Sequence, residues 1–464
     1  MQQSINTVLS MQQHSVTPDK SLLQANSNYR YIPDKSLVYI APITSPNLCC
    51  LIGNRRLIKD VLLNFPHHLL AAPQTASTPA SALLLAQQLA SQFAATAAER
   101  DHAGGTPKAE RDAIRASGLL GLSIAREFGG MGANWQETLL VVREFAKADS
   151  SVAHVFAFHH LMLATVELFG RPEQWQPWHE ITTRQHWFWG NALNPLDERT
   201  ISKRLAGWHE FSGQKSFCSG ALDSQMLVVS ARSQPGGQLV VAAIPTGRSG
   251  ISVQQDWNNI GQRQTDSGSV HFEKVRIENN EILDTPGPLT TPRSCLRPLL
   301  AQLILTNIYL GIAEGAFEEA RHYTLHEARP WQAAQVDHTH EDPYILGHYG
   351  EFWVGLESVR ALTDRAGARL VEALARGEAL SESERGEVAM NIAAAKVAAT
   401  RMGLNLACQM FEVTGARATH AGLRLDRHWR NLRTHTLHDP VDYKLKELGE
   451  WALIRSYPTP TFYS

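Results

Sequence analysis

The sequence predicts a mostly α-helical protein with a small β domain set between two helical blocks, and three observations carry that expectation. From about residue 76 to 180 the chain is rich in Ala, Leu, Gln and Glu, with apolar residues at helical spacing. Between 186 and 285 short runs of aromatic and β-branched residues take over, punctuated by Gly, Pro, Asp and Ser. Long Ala/Leu/Glu-rich segments then return. A chain of 464 residues, 43% of them hydrophobic, is long enough for two or three packed units and can bury a sizeable ligand.

Residues 1–75 are rich in Gln, Ser, Asn, Thr and Pro and contain Pro-Asp-Lys-Ser-Leu twice, at 18–22 and 33–37. They show neither a sustained period nor the basic, apolar and small-residue succession of a signal peptide, so a poorly ordered extension without chemistry is expected. An N-terminal helical domain over 76–185 follows, with helices through Ala116 and over Gln136–Ala148 and Ser151–Phe169. The central β domain, 186–285, has strand signals at His186–Ala192, Gly213–Ser219, Met226–Ala231, Gln238–Pro245 and Ser269–Ile277. A C-terminal helical bundle over 286–464 is expected from helical runs at 299–328, 341–376, 381–413 and 441–455.

Forty-three basic against 45 acidic residues give a net charge of −2, which steers the chain to neither nucleic acid nor an anionic membrane. A small-molecule partner is expected. Cys49, Cys50, Cys218, Cys295 and Cys408 form no CxxC pair, which suits buried thiols in a reducing cytoplasm and argues against structural zinc. Apolar runs such as Leu299–Ile308 fall short of the roughly 20 residues a membrane helix needs. The Gly129-Gly130-Met131-Gly132 cluster lacks GxGxxG spacing after a strand and reads as a loop between helices.

Several local motifs are more specific. Ile260 to Gly268, with Gly261, Arg263 and Thr265, and the following Val270–Ile277 resemble the Gly-x-Arg-x-(Ser/Thr) turn and strand of the acyl-CoA dehydrogenase superfamily. Lys215-Ser216-Phe217-Cys218-Ser219-Gly220 is similar to the strand that lays an aromatic ring and a hydroxyl against the flavin in that superfamily, and Thr414-Gly415-Ala416-Arg417 to a segment near the cofactor phosphates. Within it the chain most resembles the dibenzothiophene monooxygenase subfamily, through His154–His159, Gly190-Asn191-Ala192, Ala328-Arg329-Pro330-Trp331 and Trp429–Pro440. The likeness covers about residues 80–464 and implies the fold outlined above.

The resemblance also divides the chemistry. Where the dehydrogenases typically carry a Tyr-Glu-Gly whose glutamate removes the substrate α-proton, this chain has His438-Asp439-Pro440. Asp is one methylene shorter than Glu and a base must lie within hydrogen-bond reach of its proton, so the dehydrogenase reaction loses its usual base. A neutral imidazole can instead donate or accept a proton near pH 7, as needed to manage the distal oxygen of a flavin C4a-hydroperoxide.

Each candidate also has a plainer reading. His154, with Phe158 one turn on, could be a histidine satisfied inside the core; the resemblance places both at the flavin pocket, although Phe158 stands where a tyrosine is expected. His159 and His160 keep the plain reading. Ser219 could cap a strand end, or hold the proton at flavin N5. Phe217 and Trp257 are core aromatics or flank the isoalloxazine, and Asn191 is a turn residue or an amide donor to flavin or substrate. Arg329 and Arg417 are solvated side chains or, as planar forks beside Ala416, phosphate contacts. The His435/His438 pair lacks further ligands at a metal-site spacing.

The reading that follows is a monooxygenase using reduced FMN, supplied by a separate reductase because no nicotinamide-binding module is evident. It would transfer one oxygen from O2 to a small apolar, sulfur-containing molecule, with His154, Ser219 and His438 handling protons. The resemblance further implies a homotetramer. An FAD-dependent acyl-CoA dehydrogenase and a catalytically silent flavin-binding scaffold are the alternatives.

Overall fold

The computed structural model describes residues 75–464. The expected N-terminal extension, up to residue 74, and Cys49 and Cys50 within it lie outside the described residues.

The first block contains α1 (Pro79–Ala94), α2 (Ala97–Ala103), α3 (Lys108–Ser117), α4 (Trp135–Ala148), α5 (Ser150–Phe169) and α6 (Pro172–Gln185). Local chemistry sets their starts. Asn134 and Glu137 form a capping box on α4, and Asp149 accepts from the Ser151 and Val152 amides at the start of α5. Helix α6 runs beyond the expected helical limit near residue 180 and carries Pro177 in its interior.

Seven strands follow: β1 (Trp189–Ala192), β2 (Ile201–Arg204), β3 (Trp208–Lys215), β4 (Met226–Gln234), β5 (Leu239–Pro245), β6 (Ile251–Val253) and β7 (Val270–Glu278). They form one sheet in the order β1-β4-β2-β3-β7-β6, with β5 paired to β4. The sheet curves as a half-barrel around its own small core, which includes Phe211, Val229, Ile244 and Ile277. One expectation is corrected here. The strand signal at Gly213–Ser219 ends at Lys215, and Phe217 takes a left-handed φ of 60°. The chain leaves the sheet because the Cys218 and Gly220 amides donate to the carbonyls of Gly268 and Thr265, turning residues 216–220 toward the β6–β7 connection.

The last block holds α7 (Leu296–His326), α8 (Pro343–Ala375), α9 (Glu382–Thr414), α10 (Asp426–Thr436) and α11 (Val441–Ile454). Helix α7 is the axis, packing against α4, α5, α8, α9 and α10. Two helices exceed the apolar runs anticipated from sequence: α5 and α7 are long and apolar enough to cross a membrane, yet 94% and 100% of those windows are buried inside the protein. They are core helices, hydrophobic all round because other elements cover every face. Cys218 and Cys295 are buried, whereas Cys408 is exposed on α9, contrary to the expectation of buried thiols.

Candidate functional site

A cavity of about 1020 Å³ lies where the half-barrel meets α5, the start of α7 and the end of α10. That is room for a large planar ligand and a small one together. Helix α5 presents His154, Phe158 and Leu161 to it at the i, i+4, i+7 spacing of one face. The 216–220 turn supplies Phe217 and Ser219, and the connection before β7 supplies Trp257, Gln262 and Ser267.

Glycine sets how closely that connection approaches α10. A Cβ on Gly261 would lie 2.1 Å from the Arg430 carbonyl oxygen, so no larger residue fits. The contact is then fastened on both sides. The Gln262 amide donates to Asn431 Oδ1 (2.7 Å), Arg430 donates to the Ile260 carbonyl (2.7 Å), and Arg263 Nε donates to the Asp101 carbonyl of α2 (2.6 Å). The Gly-x-Arg turn therefore clamps the β domain to the helix carrying His435. Gly261→Ala should cost about 1–3 kcal/mol of stability, as overpacking does, measured by urea unfolding. Unchanged stability would show that α10 yields freely.

A continuous polar chain crosses the cavity wall. His435 Nε2 lies 2.9 Å from His154 Nδ1, His154 Nε2 lies 2.8 Å from Ser219 Oγ, Ser219 Oγ lies 2.8 Å from Ser267 Oγ, and Ser267 Oγ lies 2.7 Å from Thr265 Oγ1. Thr265 can close it by donating to the Gln262 carbonyl (3.0 Å). Burial, and secondarily His438, push His154 down to about 3, and burial holds His435 well below its usual range. Both rings are neutral, so one proton is shared between them and the chain has two hydrogen-bonding senses. In one, Ser219 accepts from His154; in the other it donates. His435 Nδ1 is buried with no protein partner, and it acts as acceptor in the first sense and donor in the second. Phe158 stacks on His154 at 4.0 Å and fixes its plane.

The second arrangement is an anchored histidine. His438 Nδ1 lies 2.9 Å from Asp439 Oδ1, and the same oxygen accepts from Lys396 Nζ (2.5 Å) and Gln302 Nε2 (3.3 Å). Burial alone would raise the Asp439 carboxyl, but the His438 hydrogen bond and the Lys396 charge outweigh it and hold the group well below the carboxylate range. Lys396, lowered by burial to about 8, stays protonated at neutral pH. An ionised acceptor on Nδ1 fixes the Nδ1–H tautomer and leaves Nε2 for chemistry.

Of the residues singled out from sequence, His154, Phe158, Asn191, Phe217, Ser219, Trp257 and His438 converge on this cavity. Asn191 takes a turn role as well, its Oδ1 accepting from the Leu193 amide (3.1 Å). Phe217 is 59% exposed and meets Trp257 edge to face at 5.9 Å. Arg329, just past α7, and Ala416 and Arg417, past α9, do not line it and are exposed on the chain. His159 and His160 are core histidines, bonded to the Leu120 carbonyl (2.9 Å) and the Ser123 hydroxyl (2.7 Å). Sequence reasoning weighed His435 only as a metal ligand beside His438, not as a partner of His154, and missed Lys396, Gln302 and Arg297. A single lysine in the Ala-rich run Ile392–Thr400 was the one signal that could have flagged Lys396.

Three family models match: "Acyl-CoA dehydrogenase, N-terminal domain" over 84–183, "middle domain" over 197–275 and "C-terminal domain" over 303–443. The chain is 65% identical to "Probable FMNH2-dependent monooxygenase SfnC" of Pseudomonas putida over 387 residues, 83% of this chain and 98% of that one. The structure of methanesulfinate monooxygenase MsuC from Pseudomonas fluorescens is similar at a TM-score of 0.82 and 68% identity, covering 82% of this chain and 99% of that one. A complex of the dibenzothiophene monooxygenase TdsC from Paenibacillus sp. A11-2 with FMN and indole matches at 0.80 and 42%, covering 82% and 100%.

Proposed function

This chain belongs to the acyl-CoA dehydrogenase family, and within it we propose a flavin-dependent monooxygenase that uses reduced FMN and O2 to oxygenate a small sulfur compound. One observation carries the reading: the titratable group that anchored side chains aim into the cavity is a histidine, not a carboxylate. Asp439 is engaged by His438, Lys396 and Gln302. Asp197, the one carboxylate among the described lining residues, is held by Arg199 through Nε (2.7 Å) and a terminal nitrogen (2.6 Å). No carboxylate in that lining is free for the α-proton abstraction of a dehydrogenase.

The residues fit a flavin. The cavity is large enough, Phe217 and Trp257 offer aromatic faces, and the unpartnered His435 Nδ1 can meet a ring heteroatom. Reduced FMN supplies two electrons and, with O2, the C4a-hydroperoxide proposed as oxygen donor. The chain's own part is to shelter it from water, hold a proton through Ser219 and His154, and accept and then return one at His438 Nε2. Anaerobic loading with reduced FMN and then an oxygen pulse tests this. A transient C4a-adduct absorbance is expected; flavin bleaching by an acyl-CoA, or no reaction at all, would overturn the reading.

The proposal includes a cytoplasmic homotetramer fed by a separate reductase, in which Arg329, Ala416 and Arg417 reach the flavin phosphate of a neighbouring subunit. Arg329→Ala is then expected to weaken FMN much more than riboflavin, which lacks the anion. Equal weakening of both in a fluorescence titration would exclude phosphate contact.

A further inference from the structure

We propose that Arg297 is the recognition residue of an oxyanion subsite at the closed end of the cavity, and that the group it takes is the sulfinate headgroup of a small alkanesulfinate. The proposal rests on the oxygenase reading and names its substrate class.

The observation is a buried cation left without an anion. Arg297 is 6% exposed and lies in the first turn of α7. The other buried arginines have either an anion, Arg111 with Asp223 and Asp266, Arg143 with Asp364 and Arg427 with Glu319, or, for Arg385, backbone oxygens of Pro458 and Ser464 that occupy both terminal nitrogens. Arg297 makes no ion pair among the described residues. Its Nε donates to Thr165 Oγ1 (3.0 Å), itself committed to the Leu161 carbonyl (2.6 Å). That contact orients the side chain and spares both terminal nitrogens. Desolvating a guanidinium costs several kcal/mol unless a counter-charge arrives, and here the side chain lines a cavity through which one can enter.

The position points to substrate rather than to flavin phosphate. Thr165 is eleven residues along α5 from His154, about 16 Å at the helical rise, so Arg297 is docked well beyond the Ser219 end. Its surroundings, Leu161 and Ala301, are buried, whereas Leu196, Phe217, Ile260 and Leu437 at the mouth are exposed. Arg433, the other arginine without an ion pair on this cavity, is only half-buried and is better placed for a solvated phosphate. Tyr463 joins the two ends of the reaction, since its ring lies 5.8 Å from that of His438. Burial and Asp439 raise its phenol, Arg297 pulls it back, and it stays a neutral donor.

A sulfinate suits this place chemically. Its two oxygens share one negative charge and match the guanidinium fork, while the sulfur keeps a lone pair turned away from it. That lone pair forms the new S–O bond as the O–O bond breaks. The second oxygen leaves as water, with two electrons from reduced FMN, and the sulfinate becomes a sulfonate.

Titration calorimetry on the wild-type protein should show methanesulfinate binding and dimethyl sulfone, neutral and similar in size, binding far more weakly. Arg297→Gln should lose on the order of 100-fold in methanesulfinate affinity, as expected for a buried charge pair deprived of one partner. Arg297→Lys, which keeps the charge and guards against a folding defect, should fall between because it lacks the fork. The FMN-to-riboflavin affinity ratio should not move. Wild-type protein that fails to distinguish sulfinate from sulfone, or undiminished sulfinate binding in both variants, would overturn the proposal. A collapsed FMN-to-riboflavin ratio would overturn it too, by assigning Arg297 to the phosphate. These titrations need no reduced flavin, so a failure here is separable from failure of the oxygen-pulse test.

Discussion

His438→Ala is expected to bind FMN and keep consuming oxygen while forming product some 100- to 10,000-fold more slowly, the usual cost of losing a positioned acid–base group. Oxygen would be released as hydrogen peroxide, because the cavity-lining residues Phe217, Ser219 and Trp257 come from other segments and are untouched. The anchor of His438 supports a finer expectation. Lys396→Met leaves Asp439 buried without its cation, so the carboxylate becomes costly, takes up a proton more readily, and no longer holds the Nδ1–H tautomer. That variant should reproduce the peroxide leak and shift its pH profile, whereas a merely structural lysine would change stability alone. Peroxide and product measured together in stopped turnover decide it: wild-type coupling in His438→Ala would remove the main reason for assigning oxygen transfer to this site.

The three-block order was legible because each block has one dominant period, and the long helices of the last block are set by Ala/Leu-rich runs whose helical spacing continues through interior glycines such as Gly311 and Gly403. Helix α10 was not visible. Its sequence Asp426–Thr436 is polar, and the face it buries includes Arg427, His428, Asn431 and His435 rather than an apolar stripe. A hydrophobic pattern cannot reveal a helix that packs through hydrogen bonds. The same reason hid half of the site. His154, Ser219 and His438 were found through motif likeness, whereas His435 was weighed only as a metal ligand beside His438 until the fold brought it 2.9 Å from His154. Arg297 beside Pro298 offered no signal, since the absence of a counter-ion shows only in three dimensions. The 216–220 turn was read as strand because its β-like composition continues past Lys215, where tertiary hydrogen bonds to Thr265 and Gly268 win over local preference.

Acidification from pH 7.5 toward 4.5 is expected to unfold the protein steeply, and buried histidines are the reason. Burial pushes His154 and His159 down to about 3 and His179 to about 4, and it holds His160 and His435 well below their usual range. Each is neutral when folded and titrates near 6.5 when unfolded. Below that pH the unfolded chain binds more protons than the folded one, so stability is fully present above about 6.5 and is lost as pH falls toward the folded values. Below 6.5 each of these histidines opposes folding in the same sense, and five acting together are a large fraction of the stability of an ordinary domain. Asp266, pushed up to about 7 by burial, acts in the opposite sense but is a single group. Urea unfolding at half-unit pH steps should therefore give a free energy that is flat above pH 7 and falls with a slope of several protons below 6. His179, outside the catalytic chain, provides the control: His179→Gln should reduce that slope by about one proton while leaving flavin binding intact. A stability independent of pH between 7 and 5 would mean that these imidazoles are not held neutral, and the two-sense hydrogen-bond chain through His435 and His154 would lose its basis.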